Sequence, residues 1–173
     1  LPYKLWSGNE LLAKDKYLLS LKDFNLASKI PDLIDAGITS FKIEGRLKDA
    51  DYVINAVSFL RKKIDEAISS RSGCKRSSLG ISEINFIPDP TKTFNRGFTE
   101  YNIDGRRGHW LADVSPKSIG KRIGRAKESG PGWLKFDSKV ELSSGDGLCF
   151  IGGDGTLIGA NVNRLVGEMV FLS

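Results

Sequence analysis

The stretch that most constrains the fold is residues 39–49, Thr-Ser-Phe-Lys-Ile-Glu-Gly-Arg-Leu-Lys-Asp. Side chains alternate along a β-strand, so a strand here would place Lys42 and Glu44 on one face and apolar side chains on the other. Opposite charges on one strand face persist mainly as an ion pair or beside a wet cavity, because burying them separately is costly. Gly45 then permits a sharp turn before a long helical pattern. A charged strand end, a glycine turn and a helix are typical of the mouth of a parallel α/β structure.

The first 70 residues can be divided into two strand-then-helix units, which predicts a parallel sheet. Short apolar runs predict strands at residues 17–19 and 38–43. Ser20, with Asp23 three residues later, has the spacing of a helix N-cap and its reciprocal acid. We therefore expect the first helix to begin near residue 21.

The helix signals extend further along the same region. Pro31 suits the first turn of a helix, and Gly37 is placed as a C-terminal stop. From Ala50 onward, apolar residues recur every three or four positions, which predicts an amphipathic helix of about five turns. The recurring residues are Val53, Ala56, Val57, Leu60, Ile64, Ala67 and Ile68.

Five segments resemble one protein family. They are Leu-Leu-Ser-Leu-Lys-Asp-Phe at 18–24, Leu-Ile-Asp-Ala-Gly-Ile at 33–38, Ser-Phe-Lys-Ile-Glu-Gly-Arg-Leu-Lys at 40–48, Phe-Asn-Arg-Gly-Phe-Thr at 94–99 and Ser-Pro-Lys-Ser-Ile-Gly at 115–120. On these segments the chain resembles the collagenase-like peptidase family U32, whose catalytic type is unassigned. The resemblance touches most of the chain and is most specific in the first block.

The resemblance implies an α/β plus all-β fold, with the last two βα units of a (β/α)-barrel-like body before a small C-terminal β-barrel. Residues 1–70 would form the βα units of the catalytic body, and residues 81–173 the β-barrel domain. Residues 71–80 are polar, basic and poor in apolar anchors, which is typical of a linker. The chain begins with Leu1 rather than methionine, so we expect it to be a segment of a longer protein.

Charged residues near the predicted strand ends are the candidates for an active site. Consecutive parallel strands project their following loops to the same side, so the two loops should meet. The candidate catalytic residues are Lys42, Glu44, Arg46 and Lys48. The candidate substrate-binding residues are Lys22, Asp23 and Arg96. The alternatives are that Glu44 forms a structural ion pair with Lys42 or Arg46, and that Arg96 caps the interface between the domains.

Residues 121–173 have the short apolar runs and frequent turns of an antiparallel β-barrel or sandwich. The predicted strands are 122–126, 133–136, 140–142, 148–151, 156–158 and 169–172, with turns at 130–132, 144–147 and 152–155. The last turn is glycine-rich but lacks the lysine and following helix of a phosphate-binding loop, so a hairpin turn fits it better.

Basic residues are concentrated before and into this β region. The net charge is +5, and the local cluster is Arg106, Arg107, Lys117, Lys121, Arg122, Arg125 and Lys127. Basic groups near exposed aromatic rings bind single-stranded RNA, and aromatic residues stand at 94, 98 and 110. The candidate RNA-binding residues are Arg106, Arg107, Arg122 and Arg125. A solvated basic surface is the alternative.

Cofactor signals within the chain are few. His109 is the only histidine and has no acid at metal-ligand spacing, so we predict no metal site. Some family members have cysteine clusters thought to bind an iron–sulfur cluster, but Cys74 and Cys149 match none of them. The ligands of such a cluster would lie upstream of Leu1. No segment has the length of a membrane span or the pattern of a signal peptide. The two cysteines lie far apart in sequence and do not suggest a disulfide scaffold, so we expect a cytoplasmic protein.

Three functions stay open at this point. The first is the C-terminal part of a collagenase-like peptidase, acting on a peptide and inactive as this segment alone. The second, also implied by the family, is a protein needed for tRNA or rRNA hydroxylation. The third is a non-catalytic RNA- or protein-binding module. Because parallel βα units without further strands expose a sheet edge, we also expect a homodimer through that edge.

Overall fold

The computed structural model describes residues 1–105, 109–112, 114–137 and 139–173. Within these ranges it has two α-helices and nine β-strands, arranged in two two-stranded sheets and one five-stranded sheet. In chain order the elements are β1 (Tyr3–Ser7), β2 (Glu10–Lys16), β3 (Asp23–Phe24), α1 (Ile30–Asp35), α2 (Ala50–Ser69), β4 (Phe98–Thr99), β5 (Ala126–Gly130), β6 (Trp133–Phe136), β7 (Gly147–Ile151), β8 (Leu157–Val166) and β9 (Met169–Leu172).

The chain opens with an antiparallel hairpin that the sequence analysis did not predict. Among the described residues, strands β1 and β2 pair only with each other, and Gly8 takes φ +58° in the two-residue turn between them. Only glycine adopts such a φ freely, and it is the usual first residue of this hairpin turn. Both strands are largely exposed, including Trp6.

The predicted end of the first helix is confirmed. Pro31 lies in the first turn of α1, and Gly37 follows the helix with φ +90°. The Gly37 N–H donates to the Ile34 carbonyl and the Ile38 N–H to the Leu33 carbonyl, both at 2.9 Å. This pair of hydrogen bonds satisfies carbonyls that the helix end leaves free, and the left-handed turn requires glycine.

The two predicted βα units are not formed, because neither predicted strand has a hydrogen-bonded neighbour. Residues 17–19 enter a turn, and residues 38–43 are irregular, with no strand among the described residues paired to them. A strand satisfies its backbone only through a neighbouring strand, so an apolar run alone does not become one. The (β/α)-barrel part of the predicted fold is therefore not seen in this chain.

The predicted cap at Ser20 and Asp23 is also wrong. The Ser20 carbonyl accepts from the Ala112 N–H at 2.8 Å, and Asp23 begins β3, which pairs in parallel with β4. These contacts are with residues distant in the sequence, and they hold the backbone extended. The helical turn starts only at residue 27.

The long helix α2 is confirmed over its predicted length. The Asp49 side chain caps its N-terminus by accepting from the Tyr52 N–H at 2.8 Å. At its C-terminus, Arg71 makes two hydrogen bonds of 2.7 Å to the Asp35 carboxylate, which ties the end of α2 to the end of α1. Neither helix of the described residues is long and apolar enough to cross a membrane.

Residues after the predicted linker pack back onto α2. Asn55 is buried in this helix, and its amide nitrogen donates to the Asp89 carbonyl at 2.7 Å. The Asn55 side-chain oxygen accepts from the Asp89 N–H at 2.8 Å. These paired hydrogen bonds mimic a strand contact and fix the segment that begins at Asp89 against the helical part.

The C-terminal residues form one curled, antiparallel sheet with the strand order β5-β6-β9-β8-β7. Its core is small and consists of Leu134, Val162 and Val170. The partly buried side chains around it are Phe136, Leu142, Leu148, Phe150 and Leu172. The antiparallel sheet predicted from the sequence is therefore present, as a half-barrel of five strands.

The turns of this sheet match the prediction better than its strands do. Residues 131–132 and 152–156 are hairpin turns, and the Gly152 N–H donates to the Thr156 carbonyl at 2.8 Å. The predicted strand at 140–142 is absent, although Leu142 still packs on the core. Immediately after it, the Ser143 N–H donates to the Asp146 carboxylate at 2.7 Å, which turns the chain instead of extending it.

Candidate functional site

The segment 94–98 is held against β3 by one ion pair. The Asp23 carboxylate accepts from the Arg96 backbone N–H at 2.7 Å and from its Nη2 at 2.6 Å. The Asp23 N–H in turn donates to the Gly97 carbonyl at 2.8 Å, beside the β3–β4 pairing. Charge-assisted hydrogen bonds of this kind are stronger than neutral ones, so Arg96 is fixed in position. Hydrogen bonding to Asp23 raises the pKa of Arg96, which therefore keeps its charge.

Lys48 brings the loop before α2 to the same place. Its Nζ lies 3.1 Å from the centroid of the Phe94 ring and 5.6 Å from that of Tyr52. The Arg96 guanidinium lies 5.9 Å from the Phe94 ring centroid. Phe94 is thus contacted by two cations, each attracted by the negative face of the ring. The three segments around Asp23, Lys48 and Arg96, far apart in sequence, meet here.

The Tyr52 ring lies near Lys48 and against the turn at Gly45. Burial, and secondarily the charge of Asp23, raise the pKa of the Tyr52 hydroxyl, because both disfavour the phenolate. The phenol is therefore neutral near pH 7 and can donate a hydrogen bond. A side-chain carbon at Gly45 would lie 3.2 Å from the Tyr52 ring, so glycine allows the turn to pass closely.

Glu44 forms an ion pair with Lys42 and Arg46, which the sequence analysis gave as the alternative to a catalytic role. Its carboxylate lies 2.8 Å from Lys42 Nζ and 3.7 Å from Arg46 Nη2. The side chains are exposed, at 53% for Glu44, 84% for Lys42 and 90% for Arg46. Exposed ion pairs add little stability, so this pair is not what holds the loop in place. Leu47, next in the loop, is fully exposed and has φ +63°.

A cavity of about 570 Å³ lies between the two helices and the segment 41–44. Its polar lining residues are Asp23, Asn25, Lys42, Glu44, Tyr52 and Arg61. The rest of its wall is mainly apolar and includes Phe24, Leu26, Ile30, Leu33, Phe41, Ile43, Ala56, Val57, Phe59, Leu60, Ile64, Pro90 and Phe98. A largely apolar cavity with a few polar groups is the usual form of a small-molecule site.

The structure therefore brings some predicted site residues together and leaves others apart. Asp23, Lys42 and Glu44 share the cavity, whereas Lys22, Arg46, Lys48 and Arg96 are not among its lining residues. Lys48 and Arg96 instead share the ring of Phe94. The role of Tyr52 was not predicted, because Lys48 lies before the start of α2 and no helical spacing relates the two side chains.

Two of the predicted RNA-binding residues lie elsewhere. Arg122 and Arg125 are exposed in the segment that leads into β5, while Arg106 and Arg107 lie outside the described residues. Lys121, in the same segment, lies 2.8 Å from the Asp89 carboxylate and so helps to attach this segment to the helical part. Exposed Lys127 in β5 adds to the positive charge there.

No group of three or more His, Cys, Asp or Glu residues in the described ranges is arranged to hold a metal ion. Both cysteines are free and exposed. The Cys149 thiol in β7 donates to the Ile119 carbonyl at 3.2 Å, and although the residue as a whole is exposed, partial burial of the thiol raises its pKa. Cys149 is therefore a thiol rather than a thiolate near pH 7. His109 is exposed.

Residues 1–111 match Peptidase family U32, and the chain belongs to this family. Over 149 residues, 86% of the chain, it is 40% identical to the 23S rRNA 5-hydroxycytidine C2501 synthase of Escherichia coli, of which it covers 23%. It is 49% identical over 28% of its length to the tRNA hydroxylation protein P1 of Bacillus subtilis, of which it covers 12%. It is 30% identical over 84% of its length to a collagenase of Porphyromonas gingivalis strain W83, of which it covers 35%.

The chain thus spans about a third or less of the length of these relatives. Because the similarity to the E. coli protein covers 149 residues, it extends beyond the 111 residues of the family match and into the C-terminal part. No solved structure matches the chain.

Proposed function

We propose that this chain is part of a protein that acts in the hydroxylation of an RNA base. The observation that carries the proposal is the 40% identity to an rRNA 5-hydroxycytidine synthase over 86% of the chain, against 30% for the collagenase over a similar share. The similarity to the tRNA hydroxylation protein points to the same class of substrate.

The cavity beside Glu44 supports this role. Its aromatic side chains, Phe24, Phe41, Phe59 and Phe98, suit a flat ring, and its polar side chains suit the hydrogen-bonding groups of a base. We propose that Glu44 acts there with Lys42, Arg46 and Lys48. Lys22, Asp23 and Arg96 would bind and orient the substrate from the adjoining strand pair.

The exposed basic side chains support a second contact, with the RNA backbone. Arg122 and Arg125 are exposed beside the sheet, where they could neutralise phosphates without being buried. The net charge of +5 favours an anionic partner, as RNA is. We further propose that the half-barrel sheet and the helical part belong, in the longer protein, to a closed β-barrel and a (β/α)-barrel-like body.

The test is deletion of the gene in its host, followed by mass spectrometry of nucleosides from purified rRNA and tRNA. The expected result is the loss of a 5-hydroxylated pyrimidine, restored by the full-length gene and not by its Glu44→Gln variant. Glu66→Gln is the matched control, since Glu66 is also an exposed glutamate paired with a lysine, at 2.9 Å from Lys63. An unchanged set of hydroxylated nucleosides would overturn the proposal.

The second candidate is a peptidase, which the family description and the collagenase similarity favour. Its test is incubation of the purified full-length protein with collagen peptides, alone and with the Glu44→Gln variant. Cleavage by the native protein that disappears in Glu44→Gln and persists in Glu66→Gln would establish it. Cleavage that is the same in all three proteins would indicate a contaminating protease.

A further inference from the structure

One aromatic ring in the wall of the cavity that contains Glu44 is supported by two further rings. The Phe24 ring lines the cavity and stacks on Tyr101, with 5.0 Å between the ring centroids and 22° between the ring planes. Tyr101 in turn meets the Trp110 ring edge-on, at 6.4 Å and 87°. Both are preferred arrangements of aromatic pairs. Tyr101 and Trp110 are not among the described residues that line the cavity, so they support Phe24 from outside it.

Phe24 differs from the other three phenylalanines of the cavity wall. It is the most exposed of the four, at 56%, whereas Phe98 is 36% exposed and Phe41 and Phe59 are half-buried. Among the described residues it is also the only one of the four with another aromatic ring stacked on it. A ring that a ligand can reach, and that is supported from behind, has the form of a stacking platform.

The backbone holds these rings in place. Phe24 pairs with Thr99 across β3 and β4, and the Thr99 hydroxyl accepts from the Tyr101 N–H at 3.1 Å. Tyr101 has φ +48°, a left-handed conformation that a residue with a large side chain keeps only where its surroundings impose it. The Trp110 carbonyl accepts from the Lys22 N–H at 2.8 Å, directly before β3. The stack is therefore formed before any ligand binds, which lowers the entropic cost of binding.

The occupant that this arrangement fits is an unstacked base of single-stranded RNA. Aromatic side chains hold such bases by stacking, with little dependence on sequence. Beside the cavity, two exposed cations, Lys42 and Arg46, share the single carboxylate of Glu44. The positive charge that remains suits the phosphates on either side of a base.

We propose that Phe24 stacks on an RNA base in this cavity, and that Tyr101 is a positioning residue that holds the Phe24 ring. The proposal rests on the base-binding role given above to the cavity, and it names the side chain that would hold the base. Its test measures binding and not hydroxylation. Ring-dependent binding without hydroxylation would leave this proposal standing and remove the proposed reaction, and the reverse result would do the opposite.

The test is fluorescence anisotropy of a labelled, single-stranded pyrimidine RNA with the 173-residue protein, over a series of potassium chloride concentrations. Phe24→Leu keeps an apolar side chain and removes the ring, so we expect binding at least about fivefold weaker. The salt dependence should stay the same, because no charge is lost. Phe24→Tyr keeps the ring and should bind within about twofold of the native protein. Tyr101→Leu should lie between the two, since it removes the support and leaves the platform.

Two controls complete the experiment. Phe86→Leu changes an exposed phenylalanine that is not among the lining residues, and it should bind like the native protein. An oligomer of the same length whose riboses carry no bases should bind the native protein and Phe24→Leu equally. Native affinity in Phe24→Leu, equal losses in Phe24→Leu and Phe24→Tyr, the same loss with the base-free oligomer, or no RNA binding by the native protein would each overturn the stacking role. Native affinity in Tyr101→Leu would overturn the positioning role.

Discussion

Asp23 and Arg96 are 73 residues apart in sequence, and the Asp23 carboxylate accepts hydrogen bonds from both the backbone N–H and the Nη2 of Arg96. The side chains are 24% and 31% exposed, so water screens the pair only in part. The contact is therefore worth more than an exposed ion pair, and it fixes the segment that carries Phe94 against β3. Through the Phe94 ring it also positions Lys48.

Removing the Asp23 carboxylate should destabilise the protein. We expect Asp23→Ala to lower the free energy of unfolding by about 2 kcal/mol, because it leaves the Arg96 N–H and guanidinium without their acceptor. Asp23→Asn keeps one acceptor oxygen and should cost less. Urea denaturation followed by far-ultraviolet circular dichroism measures both. A loss below about 0.5 kcal/mol in Asp23→Ala would show that the pair is merely a surface contact.

The buried Asn55 should be the strongest single attachment between α2 and the segment that begins at Asp89. Asn55→Leu removes a donor and an acceptor and leaves the Asp89 N–H and carbonyl unpaired, so we expect a loss of about 2 to 4 kcal/mol. Lys62→Ala, an exposed change on the same helix, is the control and should stay within about 0.5 kcal/mol of the native value. Equal stability of the two variants would contradict this role.

Elements stabilised by nearby residues could be predicted from the sequence. Helix α2 satisfies its own backbone, so its apolar spacing was sufficient, and Gly37 marked the end of α1 through its left-handed backbone. The glycine-rich turns of the C-terminal sheet were predictable for the same local reason. The apolar pattern of residues 38–43 also predicts a strand, but a strand forms only beside a hydrogen-bonded neighbouring strand, which the pattern does not specify.

The same distinction applies to the candidate site. Asp23 and Glu44 both line one cavity, but the parallel strands from which their proximity was predicted are not formed. The contacts of Lys48 with Phe94 and of Asn55 with Asp89 join residues more than 30 positions apart, so no local sequence pattern predicts them. The N-terminal hairpin was missed because its strands are short and mixed in polarity, with no clear alternation.

Asp89 should contribute an acid-sensitive part of the stability. Burial alone would raise the pKa of this carboxyl, but hydrogen bonds from Lys121 and Thr91 outweigh it, and the pKa lies below its ordinary value of 3.8. The unfolded chain therefore takes up the proton first. The stabilisation is present above about pH 4 and is lost as the pH falls through the lower, folded-state pKa.

We therefore expect the free energy of unfolding to fall less steeply below pH 4 in Asp89→Asn than in the native protein. Urea denaturation at pH 3, 4, 5 and 7 measures this, with Glu83→Gln at an exposed position as the control. Parallel curves for Asp89→Asn and the native protein would show that the hydrogen bonds of Asp89 do not depend on its charge.

Glu44→Gln should separate function from stability. The Glu44 side chain is 53% exposed and its ion pairs are with still more exposed cations, so the change should cost less than about 1 kcal/mol. If its carboxylate acts on the substrate, activity of the full-length protein should fall at least a hundredfold. Thermal denaturation and the nucleoside assay, run on the same preparation, measure both. Full activity in Glu44→Gln would assign the residue to the surface ion pair alone.

The basic side chains beside the sheet should bind RNA mainly through charge. Arg122 and Arg125 are exposed, so the double change to alanine should leave the stability within about 0.5 kcal/mol of the native value. Each phosphate contact contributes about 0.7 to the slope of the logarithm of the binding constant against the logarithm of salt concentration for single strands. The double variant should therefore bind a single-stranded RNA more weakly and lower that slope by about 1.4.

Fluorescence anisotropy with a labelled RNA at 50, 100 and 200 mM potassium chloride measures the slope. The matched control is Lys62→Ala combined with Lys75→Ala, which removes the same charge from exposed positions outside the sheet. Nonspecific attraction of RNA depends on the net charge of the protein, whereas a direct phosphate contact depends on the position of the side chain. Only the arginine variant should therefore change the slope. An equal change in both double variants would mean that RNA responds to the net charge of the protein, and Arg122 and Arg125 would then be ordinary solvated side chains.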